Sequence, residues 1–300
     1  VGGAPATPRR CLMRARAIVV VACVCAMAVG YLPAIAAERL PPPQVETRAD
    51  VVYQTLGSRA LHVDVHRLRA THPTPVWVYV HGGGWSRGQR PAAEAFSTAY
   101  AMGYSVVTVE YRLADEASAP AAVQDVRCAL AWVQREGADY GLDSQRVVVE
   151  GGSAGAHLAL LAVAAADDPD FDIGCGALPH VLAVVDRFGI TDVAAWHPPS
   201  GAVQRWLGAR ADDATWKRQL SPLSRLHAGM PPIFIVHGDA DPVVPIAQSR
   251  QLLAAATALG IPAQLQVVAG GKHGGFDVAQ EARIADALRS FLRSHGAPAF

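Results

Sequence analysis

The sequence predicts an α/β fold with a mostly parallel central sheet, an N-terminal antiparallel hairpin and helices on both faces. Three observations lead there. Apolar β-branched runs alternate with Ala/Leu-rich stretches of helical length, and strands separated by helices pair in parallel through right-handed crossovers. Two alternating segments, residues 51–55 and 60–66, flank the turn residues Gly57-Ser58 and form the hairpin. Residues 147–161 then pass from an apolar strand through Gly151-Gly152-Ser153-Ala154-Gly155 into a helix without a proline.

The elements follow in order. Residues 76–80 form the first strongly buried strand, 92–102 a helix, 105–109 a strand, and 120–135 a helix with Pro120 at its start. Residues 146–150 form the strand before Ser153, and 154–166 are apolar nearly all round, as a helix packed on a sheet should be. Further strands are expected at 181–188, 233–236 and 263–268, with helices at 246–259, closed by Gly260, and at 278–293. Residues 192–228 hold Trp196, Trp206 and Trp216 among charged and proline breaks, so they read as irregular helices covering one end of the sheet.

Composition bounds the function. The chain has 300 residues, 51% of them hydrophobic, and its 26 basic and 26 acidic side chains cancel. With no basic run there is no phosphate-binding stripe, and a neutral protein gains little from counterion release, so nucleic acid is excluded as a partner. No repeat at solenoid periods is present. Residues 51–300 read as one domain.

The N-terminus is set apart. Arg9, Arg10, Arg14 and Arg16 lead into an apolar run at 17–32, and Ala34-Ile35-Ala36-Ala37 supplies small residues for cleavage, so residues 1–37 read as an export signal cut after Ala36 or Ala37. The run falls short of the roughly 18 to 20 residues a spanning helix needs, which weighs against an uncleaved anchor. Arg9-Arg10 before Leu12-Met13 hints at the twin-arginine route, with Pro8 against it, and the route stays open. A lipid-attachment box at Val20-Val21-Ala22-Cys23 would cut the run in half. Residues 38–50, with Pro41-Pro42-Pro43, read as an exposed tether. The expected location is periplasmic or secreted, with no stable membrane insertion after cleavage.

Cys11, Cys23 and Cys25 fall in the signal, leaving Cys128 and Cys175. That is neither a disulfide framework nor a metal spacing. Cys128 reads as a small core residue, with pairing to Cys175 as the alternative. His62, Asp64 and His66 share one strand face as H-x-D-x-H, but a period-two polar stripe is what a solvated strand face looks like, and no metal is expected.

The chemistry centres on Ser153. A side chain on so sharp a turn must take a strained backbone conformation, tolerable only if the residues two before and two after are almost without side chains. Gly151 and Gly155 meet that demand. His81-Gly82-Gly83-Gly84-Trp85 follows the first buried strand, with two bulky groups pinning three glycines, so the N–H groups of Gly83, Gly84 and Ala154 are expected to form an oxyanion hole. The serine also needs a neutral imidazole and a carboxylate behind it. His273 follows the last strand in a glycine-rich loop, whereas His157 is carried by its helix into the packing. In His237-Gly238-Asp239-Ala240-Asp241-Pro242, Asp241 can face the active end and Asp239 reads as a turn-capping residue. Trp85, Trp196 and Trp206 are candidates for an apolar substrate wall, or for core.

Several motifs together resemble a known family. Tyr111-Arg112-Leu113-Ala114, the Asp125 helix with Ala131-Trp132, Tyr140-Gly141-Leu142-Asp143, Gly152-Ser153-Ala154-Gly155, the D-R-F-G-I-T-D string at 186–192 and H-G-D-A-D-P-V-V-P at 237–245 are similar to the acetyl-esterase/lipase group of α/β-hydrolases. Within it the resemblance is to the bacterial feruloyl-esterase-like (BD-FAE-like) branch, related to hormone-sensitive-lipase-type carboxylesterases. It covers nearly all of the chain from about residue 51. The resemblance implies Ser153 as nucleophile, His273 as base, Asp241 as its orienter, and Gly83, Gly84 and Ala154 as oxyanion donors, acting without a cofactor on a small-molecule or polysaccharide-linked ester. The hormone-sensitive-lipase relatives carry a helical cap before the first strand, and residues 38–50 are too short for one, which implies an open cleft. Gly152-Ser153-Ala154-Gly155-Ala156-His157-Leu158-Ala159 also resembles kynurenine-formamidase relatives, so amide cleavage stays an alternative, as does a hydrolase fold used only for binding.

Overall fold

The computed structural model describes residues 1–3, 44–198 and 200–299. Residues 4–37 of the expected export signal, with its cleavage site and three cysteines, and residues 38–43 of the tether lie outside the described residues. In chain order the elements are β1 (Val45–Leu56), β2 (Arg59–Leu68), β3 (Thr74–Val80), α1 (Ser97–Ala101), β4 (Ser105–Val109), α2 (Ala121–Glu136), β5 (Leu142–Gly152) and α3 (Ala154–Ala164). There follow β6 (Val181–Arg187), α4 (Ala202–Leu207), α5 (Ala214–Gln219), β7 (Ile233–Gly238), α6 (Ala247–Ala258), β8 (Ala263–Val268) and α7 (Val278–Ser294).

Eight strands form one sheet in the order β1-β2-β4-β3-β5-β6-β7-β8. β1 pairs antiparallel with β2, and β2 antiparallel with β4; every later pairing is parallel. The parallel strands are covered on both faces, which is why they read as unbroken apolar runs: β4 and β7 are buried at every position. Each buried Val or Ile there contributes roughly 1.5 to 3 kcal/mol of transfer free energy. α2 and α3 pack on one face with Val78, Val149 and Val184, while α1 and α7 pack on the other with Trp77, Val148 and Val185.

Four expectations change. β1 starts at Val45, so residues 45–50 are strand and not tether. That extension is exposed and broken by an irregularity between Arg48 and Val51 next to Asp50 at φ 55°, so it carries no apolar alternation to read. The helix expected over 92–102 is a 3-10 turn, Ala93–Phe96, followed by the short α1. Cys128 and Cys175 are paired in a disulfide, and the Gln54 amide donates to Cys175 Sγ at 3.2 Å. Trp85 and Trp206 are fully buried and stacked on each other, and Trp196, nearly buried, meets Trp85 edge-on, so all three belong to the core and do not line a substrate wall.

The His62, Asp64 and His66 stripe has protein partners: His62 Nδ1 meets Glu110 at 2.9 Å, Asp64 pairs with Arg90, and His66 Nδ1 meets Thr47 Oγ1 at 3.0 Å.

Candidate active site

Ser153 stands between β5 and α3 at φ 57°, ψ −122°, a conformation that side chains rarely take. The flanking glycines make it possible. A Cβ on Gly151 would overlap the backbone of Gly155, and one on Gly155 would overlap the carbonyl oxygens of Val80 and His81. The strain at Ser153 is therefore held by strand, helix and the following loop closing on each other where nothing larger than glycine fits.

The loop after β3 is fixed as its bulky ends suggested. The His81 ring stacks on Tyr111 at 4.3 Å, its Nδ1–H donates to the Gly82 carbonyl at 2.8 Å, and the Tyr111 hydroxyl donates to the His81 carbonyl at 3.0 Å. Trp85, at φ 57°, turns its ring into the core and donates from Nε1 to His157 Nδ1 at 3.2 Å. Between them the glycines approach Ser153: a Cβ on Gly82 would stand 3.4 Å from that of Ser153. Gly83 and Gly84, at φ 123° and 62°, hold backbone conformations that other residues rarely adopt, so the loop requires them.

His273 and Asp241 come from two loops pressed together at the carboxyl ends of β7 and β8. Ala240 N–H donates to the Gly271 carbonyl at 3.0 Å, and Gly270 N–H donates to Asp239 Oδ1 at 2.6 Å. Asp239 thus caps the neighbouring loop's turn. The Asp277–Gln280 capping box then starts α7 and ends the His273 loop. The outcome is an unbroken chain of contacts. His273 Nε2 lies 2.8 Å from Ser153 Oγ, and His273 Nδ1 lies 2.7 Å from Asp241 Oδ2. The Asp241 side chain is fully buried, and its Oδ1 accepts from the N–H groups of Val243 and Val244 at 2.7 and 3.0 Å. A carboxylate facing Nδ1 fixes the proton there, leaving Nε2 as the acceptor toward the serine hydroxyl.

Two histidines near this chain are neutral supports. His157 is fully buried, its Nε2–H donates to the Leu220 carbonyl at 2.8 Å, and burial pushes it down to about 4, so it packs α3 and does not serve as the base. His237, the first residue of the H-G-D-A-D-P string, is the second. Its Nε2–H donates to the Val244 carbonyl at 2.9 Å and stands 3.3 Å from Asp241 Oδ2, while Ser249 Oγ meets its Nδ1 at 2.6 Å.

Phe188 was also missed. It sits at φ 47°, its N–H donates to the Val236 carbonyl at 2.7 Å, and its ring centre lies 4.8 Å from that of His273. The string at 186–192 carries only the family resemblance and residues 181–188 read as strand, whereas β6 ends at Arg187 and Phe188 turns its ring to His273. Asp186, at the start of that string, is fully buried with Oδ1 accepting from Gly189 N–H at 2.9 Å, and burial pushes its carboxyl up to about 6. Among the described residues, no group of three or more His, Cys, Asp or Glu is placed to hold a metal ion.

A family model described as BD-FAE matches residues 64–256. Esterase LipQ of Mycobacterium tuberculosis is 33% identical over 251 residues, which is 79% of this chain and 60% of LipQ. Esterase LipC of the same organism is 30% identical over 259 residues, 82% of this chain and 64% of LipC. The chain thus spans less than two thirds of the length of these relatives, 60% and 64%. A solved structure described as a truncated carbohydrate esterase from gut microbiota superposes with a TM-score of 0.73 at 25% identity, covering 83% of this chain and 97% of that one. Thermogutta terrifontis esterase 2 superposes with a TM-score of 0.70 at 23% identity, covering 87% of this chain and 97% of its own, a likeness of fold.

Proposed function

The chain belongs to the BD-FAE family and has the α/β-hydrolase fold, and on that premise we propose that it is a serine carboxylesterase working through an acyl-enzyme. The observation that carries the reading is the hydroxyl, imidazole and carboxylate chain, with 2.8 Å from Ser153 Oγ to His273 Nε2 and 2.7 Å from His273 Nδ1 to Asp241 Oδ2. These distances are those general-base activation requires.

His273 Nε2 takes the proton of Ser153 as Oγ attacks the ester carbonyl, and Asp241 stabilises the imidazolium. The N–H groups of Gly83, Gly84 and Ala154 receive the oxyanion, and a preorganised donor of this kind lowers the barrier by about 3 to 4 kcal/mol. The imidazolium then protonates the departing alcohol. Water, deprotonated by the same ring, releases the acid and restores Ser153. No step calls for a cofactor. The names of LipQ and LipC as esterases support ester cleavage here, and the Cys128–Cys175 bond supports an exported protein in an oxidising compartment, periplasmic or secreted.

The test is hydrolysis of p-nitrophenyl acetate by the wild type and by Ser153→Ala. The substitution should lower turnover by about a million-fold, since the members of a triad act as a unit. A variant that keeps most of its turnover would remove Ser153 from the reaction.

A further inference from the structure

Asp241 faces two imidazoles. Its Oδ2 lies 2.7 Å from His273 Nδ1 and 3.3 Å from His237 Nε2, and the side chains of Asp241 and His237 are both fully buried. His237 belongs to β7, whose carboxyl end carries the Asp241 loop.

The neighbours of His237 fix which nitrogen carries its hydrogen. Nε2 has two oxygens before it, the Val244 carbonyl at 2.9 Å and Asp241 Oδ2, and neither a carbonyl nor an ionised carboxylate can donate, so Nε2 is the protonated one. Burial pushes the imidazole below its usual range and keeps it neutral, which makes Nδ1 an acceptor. The Ser249 hydroxyl, 2.6 Å away, is then the donor. Ser249 is fully buried in the first turn of α6, and the residue before it holds the loop that carries Phe188: Gln248 Oε1 accepts from the N–H groups of Thr191 and Asp192 at 2.8 and 2.7 Å. The start of α6 thus grips both loops.

The His237 ring acts on Asp241 in two ways. The Val244 carbonyl accepts from His237 while the Val244 N–H donates to Asp241 Oδ1 at 3.0 Å, so the ring fixes the turn that fixes the carboxylate. The positive end of its Nε2–H bond also faces Oδ2, the oxygen that His273 uses. A donor placed there draws charge from Oδ2 and weakens its hold on an imidazolium at His273. If Ser153 reacts as proposed above, both effects bear on the reaction. We propose that His237, oriented by Ser249, is a positioning residue that holds Asp241 in line with His273 and sets how strongly that carboxylate retains a proton on the ring. Being fully buried, it works through Asp241.

The titratable groups around His237 are Asp241 and His273 at the loop end and Asp186 on β6, which pairs in register with Ile235, two residues before His237, and so shares this face of the sheet. α6 faces the ring with Ser249, which carries no charge. Asp186 is the same in every variant compared, so the difference from wild type isolates His237.

The experiment is the pH dependence of kcat/KM for p-nitrophenyl acetate, from about pH 5 to 9, in the wild type, His237→Leu, His237→Gln and Ser249→Ala; its acid limb follows protonation of the base in the free enzyme. His237→Leu should lower the plateau by about fivefold or more, chiefly through kcat, as the loss of one net hydrogen bond does. Its acid limb should move up by roughly half a pH unit or more. His237→Gln, whose amide N–H reaches the place of Nε2, should recover most of both effects, and Ser249→Ala should move the limb in the same direction by less. Profiles of His237→Leu and Ser249→Ala that coincide with that of the wild type, with only the urea midpoint lowered, would overturn the role, and so would a His237→Gln no better than His237→Leu. Where His237→Leu does not fold, Ser249→Ala decides. These results bear on His237 alone, whereas no turnover by the wild type removes the esterase reading itself.

Discussion

Two glycines adjacent in β5 face opposite sides of the sheet, and only one of them is pressed. Gly151 points toward α3, where a Cβ would overlap the backbone of Gly155 and Ala156. Gly152 points toward α7, where the nearest neighbour of a Cβ would be the Phe188 ring at 3.5 Å, an ordinary contact. The side chains repeat the contrast. On the α3 side His157 has both ring nitrogens bonded and lies among Trp85 and Trp206, with ring centres 5.2 and 5.0 Å away. On the α7 side Tyr79, Glu150 and Arg187 line a cavity, with Arg187 paired to Glu150 at 3.7 Å. One face holds the Ser153 turn rigid, and the other leaves room beside His273. Strain at Ser153 persists only where packing over-determines it, and the closed face supplies that packing.

Substitution at the two glycines is the strongest way to break this contrast. Gly151→Ala should lose more than about 3 kcal/mol in urea unfolding or fail to fold, as overpacking against backbone does, while Gly152→Ala should change stability by less than about 1 kcal/mol. Equal losses would mean that the two faces are not differently packed.

The disulfide tests the closed face from farther away. Cys128 lies on α2 and is tied to Cys175 across a sequence separation of 47. Replacing both with serine should cost about 2 to 4 kcal/mol in stability. Turnover of p-nitrophenyl acetate by the folded fraction should change little, and a large fall would place the staple in control of the site.

The smallest effect expected comes from Asp186. Its folded carboxyl, raised from 3.8 to about 6 by burial, binds its proton more tightly than the unfolded chain does. Its contribution is therefore full below pH 3.8 and is lost as pH rises through about 6. Between pH 5 and 7.5 the wild type should lose about 1 to 1.5 kcal/mol through this group. Asp186→Asn should lack that part of the slope, and identical slopes would show that the closed face does not hold Asp186 protonated.

What could be read from the sequence follows the same division. The turn at Ser153 was legible because its demand is local: Gly151 and Gly155 stand two residues either side of it. His273 and Asp241 were legible because each follows a strand in a loop with few other polar candidates. The fate of Trp85, Trp196 and Trp206 was not, since composition does not tell a ring lining a cleft from one stacked in a core. The Cys128–Cys175 bond depends on a Cα separation of 5.1 Å that no spacing of 47 residues reveals. The cavity is harder still, because Tyr79, Glu150 and Arg187 meet only through the register of three strands. The one local sign was Glu150 itself, a carboxylate at the end of the apolar run Val147-Val148-Val149.

Peptide mapping after reaction with a fluorophosphonate probe addresses the nucleophile most directly. A single adduct is expected, on Ser153, formed by the wild type and lost in His273→Ala. No adduct, or one on a different residue, would contradict it.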